Sequence, residues 1–251
     1  MSRVILAVAL LAIWSTASLA DIQVSDDASM VVENDVWQPG NRYQQGEDWL
    51  ALVCTPAQCR FEPARLTVRP ESWQGHYDDE PTEGQQLTFQ RSNEGEEMVI
   101  AWFLKRPQRE WLAPGPVVTY VSKAGALQRP PTEGTYEIAI PLPEGGEARF
   151  VPLFDRAGRA FHLQLRAHGQ RQMLGELGSC WHELSTDYLL WAGDMDRDGK
   201  PDYLISFVDA DGQVVLYLSS VAEMKGKIGV ATVYDSPPNG GECDGSGWLA
   251  E

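Results

Sequence analysis

Short apolar runs after residue 45 are typical of β-strands rather than helices. The runs are rich in β-branched and aromatic residues, and Gly, Pro, Asn and Asp separate them. Such runs include DWLALVC, CRFEPARLTVRP, EMVIAWFLK, DYLISFV and QVVLYLSS. No segment keeps a helical apolar period over 12 residues, and short helices are considered only near 182–189 and 219–226. The pattern therefore predicts a mainly β protein with antiparallel sheets of sandwich or meander type.

Turn residues between the runs predict two β-hairpins. The first joins QQLTFQR to EMVIAWFLK through Ser-Asn-Glu-Gly-Glu at 92–96. The second joins DYLISFV to QVVLYLSS through Asp-Ala-Asp-Gly at 209–212. Short polar connections that contain Gly favour antiparallel neighbours. We therefore expect each pair of runs to be hydrogen-bonded neighbours in a sheet.

A segment rich in Gly, Pro and small residues, KAGALQRPPTEG at 123–134, is the best candidate for a linker. We place a domain boundary within it, so that residues 21–128 form an N-terminal β-rich domain and residues 129–251 form a C-terminal β-rich region. The chain shows no repeat of fixed period. A full propeller is therefore not expected, because a propeller needs several similar blades in series.

The first 20 residues have the composition of a secretory signal peptide. Arg3 supplies a basic start, and residues 4–14 form an apolar run. Small residues at Ser18 and Ala20 then fit a cleavage site. The apolar run has 11 residues, which is too short to span a bilayer as a helix, although an N-terminal anchor is the alternative. We therefore expect a periplasmic or secreted protein with no membrane span after cleavage.

The charge balance is strongly acidic, with 36 Asp and Glu residues against 20 Lys and Arg residues and a net charge of −16. Such a field repels nucleic acid and anionic lipid and attracts cations. No nucleic-acid partner is therefore expected. Hydrophobic residues make up 43% of the chain, which favours a globular protein over a disordered one.

Four cysteines, all after the predicted cleavage site, indicate an oxidising compartment. Three pairings of Cys54, Cys59, Cys180 and Cys243 are open. Cys54 and Cys59 flank the turn Thr-Pro-Ala-Gln between two apolar runs, so a hairpin would bring their sulfur atoms face to face. This pairing would leave Cys180 and Cys243 to form a second disulfide around an Asp-rich segment. Zinc ligation is disfavoured, because no second close Cys pair or His pair stands near either site.

The Asp-rich segment is GDMDRDGKPDYLIS at 193–206, and its carboxylates are Asp194, Asp196, Asp198 and Asp202. Counted from Asp194, they occupy positions 1, 3, 5 and 9, with Gly199 at position 6. Alternate side chains of a tightly curled loop point at one centre, and the glycine allows the sharp turn. Lys200 at position 7 can offer its backbone carbonyl. This is the ligand order of a calcium loop, and the alternative is an acidic solvated turn that binds nothing.

The loop departs from an EF-hand, because position 12 holds Ile205 instead of a bidentate Glu and the following residues are strand-like. It instead resembles the calcium loop of FG-GAP/VCBS-type repeats in integrin-α-like propeller blades, where a DxDxDGxxD loop lies between two strands. The resemblance implies Ca²⁺ ligation by the side chains of Asp194, Asp196, Asp198 and Asp202 and by the carbonyl oxygen of Lys200. It covers the strand, the loop and the following hairpin, and it does not extend to the propeller. Dockerin and thrombospondin-type repeats share the Asp spacing but usually occur in tandem.

A second candidate surface is the polar segment PESWQGHYDDEP, which contains Trp73, His76 and Tyr77. An exposed aromatic side chain there could stack on a sugar or anchor an envelope protein, whereas core packing is the alternative for most tryptophans. No HExxH motif is present, and CDGSGW at 243–248 is not a GxSxG motif after a strand. We therefore assign no catalytic residue.

These observations together predict a calcium-binding, disulfide-stabilised β protein outside the cytoplasm. The expected role is that of a non-enzymatic binding or envelope-associated module, with a glycan or an envelope protein as partner. The alternative is an extracytoplasmic hydrolase acting on glycan or peptide, because paired carboxylates cannot be recognised from their sequence spacing.

Overall fold

The computed structural model describes residues 29–74, 80–92, 95–107, 109–125, 136–154, 156, 160–177, 188–207, 213–224 and 226–235. Its strands are β1 (Met30–Val31), β2 (Val36–Pro39), β3 (Asp48–Cys54), β4 (Cys59–Trp73), β5 (Thr82–Arg91), β6 (Met98–Leu104), β7 (Gly115–Ser122), β8 (Ile138–Pro141), β9 (Glu147–Phe154), β10 (Ala160–Ala167), β11 (Gln170–Glu176), β12 (Leu189–Asp194), β13 (Asp202–Phe207), β14 (Gln213–Leu218) and β15 (Gly229–Asp235).

All strand pairs among the described residues are antiparallel, and these residues form no helix, which confirms the predicted fold class. Residues 219–224 form turns and bends instead of the short helix considered for that segment. Within the described part of the chain, no helix has the length and apolar character needed to cross a membrane.

The larger sheet has the strand order β1-β6-β3-β4-β7-β12-β13-β14-β15, with β5 beside β4 and β2 beside β5. It curls until β1 and β15 lie against each other. Side chains bridge this seam, because the Ser29 and Thr232 hydroxyls are 2.9 Å apart and Gln38 Nε2 donates to Tyr234 Oη at 3.1 Å. The result is a nearly closed, barrel-like sheet and not a full propeller.

The smaller sheet has the order β11-β10-β9-β8 and packs on one face of β12–β15. Side chains of β12–β15 therefore contribute to two hydrophobic cores. Leu204 and Leu216 point into the inner core, which fills the curled sheet. Ile205 and Val215 point into the outer core, which lies between the two sheets. This is the two-residue period of strands that are covered on both faces.

The predicted hairpin between β5 and β6 is wrong. β5 pairs with β4 and β2, whereas β6 pairs with β3 and β1, so β5 and β6 are not neighbours. β2 lies along the free edge of β5, where Val36 stands opposite Leu87. The chain crosses instead to the far side of β3, which gives strands β3 to β6 the Greek-key order. Long-range pairing has overridden the local turn chemistry.

Ion pairs fasten this crossover to the sheet. Glu97 contacts Arg60 at 2.8 Å and Arg91 at 3.4 Å. Arg91 also contacts Glu62 at 3.5 Å, so the four charges alternate in sign across β4, β5 and the start of β6. The hydrogen bonds from Arg60 and Arg91 hold the pKa of Glu97 below its ordinary value.

The second predicted hairpin is confirmed, since β13 and β14 pair directly and Phe207 stands opposite Gln213. Its turn at 208–212 lies outside the described residues. The predicted domain boundary after residue 128 also lies outside them. The larger sheet contains strands from both sides of that boundary, because β7 pairs with β12.

The predicted Cys54–Cys59 disulfide is present at the end of the β3–β4 hairpin, where the two residues are direct partners in the strand register. Both residues are almost fully buried, with exposures of 0% and 1%. Cys180 and Cys243 lie outside the described residues. Their pairing stays a prediction.

Candidate metal centre

The Asp-rich loop connects two neighbouring strands, β12 and β13, and Gly193 stands opposite Asp202 at its base. The loop therefore begins and ends at adjacent points of the sheet. Arg197 has φ 64° and Gly199 has φ 81°, so two left-handed residues turn the chain within a short distance. This geometry confirms the predicted strand–loop–strand hairpin.

Two residues fasten the loop to the body of the protein. The Met195 side chain is fully buried in the inner core, between two residues of the acidic segment. Gly193 lets strand β7 approach closely, because a Cβ atom at this position would lie 2.1 Å from the Val118 carbonyl oxygen and 2.4 Å from the Trp191 ring. Packing against the inner core and against β7 thus helps to hold the loop in place, in addition to its own hydrogen bonds.

Three carboxylates share one focus. Asp194, Asp196 and Asp202 each offer an oxygen atom, and these atoms all lie within 4.8 Å of one another. Like charges at such distances repel by about 1 kcal/mol per pair in water, and by more where water is excluded. A bound cation would remove this repulsion, and hard divalent ions prefer carboxylate oxygens. The cluster can therefore hold a metal ion.

Asp202 is the most deeply buried member, with an exposure of 0%. Its Oδ2 accepts hydrogen bonds from the backbone N–H groups of Met195 at 2.7 Å and Asp196 at 3.3 Å. Its Oδ1 accepts one from the Ser219 N–H at 2.8 Å. Desolvation, helped by repulsion from Asp196, nevertheless raises the pKa of Asp202 to about 7. The protein thus holds a buried carboxylate whose negative charge is unfavourable at this position.

Asp194 carries the observation that points most directly to an ion. Its residue exposure is 8%, and its Oδ2 accepts a hydrogen bond from the Gly199 N–H at 3.0 Å. Its Oδ1 is buried, and no described residue donates a hydrogen bond to it. Desolvation and repulsion from Asp196 and Asp198 raise the pKa of Asp194. A buried, unsatisfied acceptor is costly, and a metal ion would satisfy it.

Asp198 lies outside this cluster of three carboxylates. The Asp198 Oδ2 accepts hydrogen bonds from Lys200 Nζ and Ser219 Oγ, each at 2.8 Å. Desolvation acts to raise the pKa of Asp198, but these hydrogen bonds outweigh it and hold the pKa below its ordinary value. Metal ligation by Asp198 and by the Lys200 carbonyl stays a prediction.

Two further residues of the site were not found from the sequence. Ser219 and Ser220, just after β14, donate hydrogen bonds to carboxylates of the Asp-rich loop. No motif marks them, because serines in a polar turn are common. Only the strand pattern carries a signal, since a β13–β14 hairpin returns the chain to the base of the loop.

The structure describes part of the second candidate surface, the polar segment that contains Trp73. Trp73 is half-buried at the end of β4, and its ring centroid lies 5.6 Å from that of Trp37 on β2. The Trp37 ring lies over Gly84, where a Cβ atom would come within 2.6 Å of it. His76 and Tyr77 lie outside the described residues.

Comparisons of this chain with family models, with curated proteins and with solved structures find no match. The function is therefore argued from the site itself.

Proposed function

We propose that the protein binds Ca²⁺ through the side chains of Asp194, Asp196, Asp198 and Asp202 and the carbonyl oxygen of Lys200. The unsatisfied, buried Oδ1 of Asp194 beside two other carboxylates is the observation that carries the proposal. The resemblance of the segment to FG-GAP/VCBS-type loops supports calcium in particular. The number of protein ligands also favours Ca²⁺, because Mg²⁺ demands near-ideal octahedral geometry and keeps more of its water.

The ion has a structural role in this proposal. Every ligand that we assign comes from the protein, and none of them implies a position for a substrate. Extracellular calcium modules bind with Kd of about 10⁻⁴–10⁻³ M. At a tenfold excess of free ion over Kd, ligand linkage then stabilises the fold by about 1.4 kcal/mol. That is enough to order one loop, while the two cores account for the fold.

Calorimetric titration of the EDTA-stripped protein with CaCl₂ tests the proposal. We expect one site in the submillimolar to millimolar range, weaker binding of MgCl₂, and loss of the heat signal in Asp196→Ala. Asp35→Asn is a matched control, because Asp35 is an exposed carboxylate outside the loop that accepts a hydrogen bond from Thr88. Absence of calcium binding at millimolar concentration would refute the proposal.

We further propose that the protein is exported and acts as a non-enzymatic binding module. The predicted signal peptide and the Cys54–Cys59 disulfide support an oxidising compartment. Millimolar calcium sites also suit such compartments better than the cytosol. Among the described residues, no observation favours the hydrolase alternative.

One observation favours a neutral glycan as the ligand of this module. Trp37 and Trp73 are both half-exposed on the outer face of β2, β5 and β4, and their rings are tilted by 34°. The Trp37 Nε1–H donates to the Glu71 carbonyl oxygen at 3.0 Å, which fixes the ring. Gln86 and Arg69 stand in register with Trp37 on the same face and supply hydrogen-bonding groups. Aromatic faces flanked by such groups suit sugar rings.

Affinity electrophoresis in gels that contain soluble neutral polysaccharides tests this part. We expect retardation of the unmodified protein and its loss in Trp73→Ala. Phe154→Ala is the control, because Phe154 is an exposed aromatic residue on β9. Equal mobility of the unmodified protein with and without each polysaccharide would reject the glycan proposal and leave the calcium proposal intact.

A further inference from the structure

The turn after β14 reaches three of the four carboxylates of the Asp-rich loop with only two residues. The Ser219 N–H donates to Asp202 Oδ1 at 2.8 Å, and the Ser219 hydroxyl donates to Asp198 Oδ2 at 2.8 Å. The Ser220 hydroxyl donates to Asp196 Oδ2. The fourth carboxylate, Asp194, is the one with the unsatisfied oxygen. The two serines therefore bind the acidic loop from the side opposite its own backbone.

The fold fixes this contact over a long distance along the chain. Tyr203 pairs with Tyr217 in the β13–β14 hairpin, so the residues after Leu218 come to lie beside Asp202. The turn then folds back on β15. A Cβ atom at Gly229 would lie 2.5 Å from the Val221 carbonyl oxygen, so turn and strand are in close contact. The serines are thus held at the loop by the sheet on one side and by β15 on the other.

The hydroxyl groups have a definite chemical effect on the carboxylates. Each carboxylate oxygen has two lone pairs, so an oxygen that accepts one hydrogen bond can still bind a cation. A donated hydroxyl proton also offsets part of the negative charge and limits the rotation of the carboxylate. Residues that act in this way on metal ligands usually change metal affinity by about 10–100-fold when they are removed.

We infer that Ser219 and Ser220 are positioning residues of the metal site, and that ion binding at the Asp-rich loop orders the turn between β14 and β15. This inference rests on the proposed calcium function. An ion that fixes Asp196 and Asp198 also fixes the acceptors of the two hydroxyl groups. The turn that follows the serines carries exposed Val221 and Met224, at exposures of 47% and 54%. The state of the ion is thereby transmitted to a surface segment that contributes no acidic ligand.

The test measures calcium affinity of the full chain by calorimetry in Ser219→Ala, Ser220→Ala and the double variant. We expect a weakening of about tenfold or more in the double variant. Ser220→Thr keeps a hydroxyl group and should retain most of the affinity. Ser72→Ala, an exposed serine on β4, is the matched control and should bind like the unmodified protein. Melting in EDTA shows whether each variant is folded.

Two further measurements separate positioning from other roles. Luminescence lifetimes of bound Tb³⁺ in H₂O and D₂O count the waters on the ion, and this number should not change in the alanine variants. Hydrogen–deuterium exchange in residues 219–228 should slow when CaCl₂ is added to the unmodified protein.

Each alternative outcome contradicts a different part of the inference or of the proposed function. The inference is overturned if the double alanine variant binds calcium as tightly as the unmodified protein. It is also overturned if calcium does not change hydrogen–deuterium exchange in residues 219–228. The calcium function stands in both cases. One additional ion-bound water in an alanine variant would make that serine a direct ligand, which also overturns the positioning role. If the unmodified protein binds no ion, the proposed function fails and the inference fails with it.

Discussion

The Asp202 carboxylate accepts a hydrogen bond of 2.8 Å from the backbone N–H of Ser219, which lies 17 residues further along the chain. The other oxygen of the same carboxylate accepts hydrogen bonds from Met195 and Asp196. Asp202 therefore joins the start of the Asp-rich loop, its end and the turn after β14. The residue that we propose as a calcium ligand is also the residue that connects the three segments around the ion.

Asp202→Asn should destabilise the protein even without calcium. Both carboxylate oxygens accept backbone N–H groups, so an amide nitrogen in place of either oxygen would face a donor. Two buried N–H donors that face each other without an acceptor cost about 1–3 kcal/mol. Urea unfolding in EDTA measures this loss, and addition of CaCl₂ should recover none of it.

Asp35→Asn is the matched control for that experiment. Asp35 accepts a hydrogen bond from Thr88 and has φ 55°, a conformation that Asn tolerates well. We expect it to leave both the stability in EDTA and the calcium effect unchanged. An Asp202→Asn protein as stable as the control would show that the N–H contacts at Asp202 contribute little.

Calcium binding should depend on pH in a window set by Asp202. Its pKa is raised to about 7, so below that pH the ion-free protein holds a proton there that calcium must displace. Below pH 7 we expect the affinity to fall by roughly tenfold per pH unit for one displaced proton. The rise in melting temperature caused by CaCl₂ should therefore be largest near pH 8 and small at pH 5.5.

In the ion-free protein, the contribution of Asp202 to folding stability should have the opposite pH dependence. A folded-state pKa above the unfolded value means that the folded state binds more protons. The contribution of Asp202 to stability therefore falls as the pH rises from about 4 to about 7, and it is constant above that range. Unfolding of the EDTA-stripped protein and of Asp202→Asn across this window isolates the contribution. A calcium effect that is equal at pH 8 and pH 5.5 would contradict the raised pKa.

Gly193→Ala and Gly199→Ala should differ in cause and in size. At Gly193 a Cβ atom would lie 2.1 Å from the Val118 carbonyl oxygen, which forces β7 and β12 apart and costs about 3 kcal/mol. At Gly199 nothing lies within 4 Å, and only the φ of 81° is unfavourable, at about 1–2 kcal/mol.

Urea unfolding in EDTA measures both losses. Gly199→Asn serves as the control, because Asn adopts the left-handed conformation more readily than Ala. It should recover part of the loss at position 199. Equal losses in Gly193→Ala and Gly199→Ala would argue against the close approach of β7 to the loop.

The Cys54–Cys59 disulfide should contribute modestly to stability. It closes a short hairpin, for which the chain-entropy model gives about 2 kcal/mol. Urea unfolding with and without dithiothreitol measures this value. In Cys54→Ala/Cys59→Ala, a remaining effect of the reductant of about 4 kcal/mol would reveal the predicted Cys180–Cys243 disulfide, which closes a longer loop. No remaining effect would contradict that second pairing.

The elements that the sequence predicts correctly are local ones. Short apolar runs separated by turn residues predict most of the strands after residue 45. The turn at Thr-Pro-Ala-Gln predicts the hairpin that brings Cys54 to Cys59. The spacing of Asp194, Asp196, Asp198 and Asp202 predicts a shared focus, because a curled loop directs alternate side chains at one centre. The structure brings three of the four together and leaves Asp198 outside the cluster.

The relationships that the tertiary structure decides are those between distant segments. The turn chemistry at 92–96 favours a β5–β6 hairpin, yet β2 occupies the edge of β5 and sends β6 to β3. Ser219 and Ser220 meet the Asp-rich loop only because the register of β13 and β14 places them there. The sequence by itself determined where most strands after residue 45 form and that acidic residues gather in one loop, since both follow from the short-range geometry of the backbone. Strand order, the seam between β1 and β15 and the position of the two serines at the Asp-rich loop needed the folded chain, because pairing over long distances depends on which edges and apolar faces are still free.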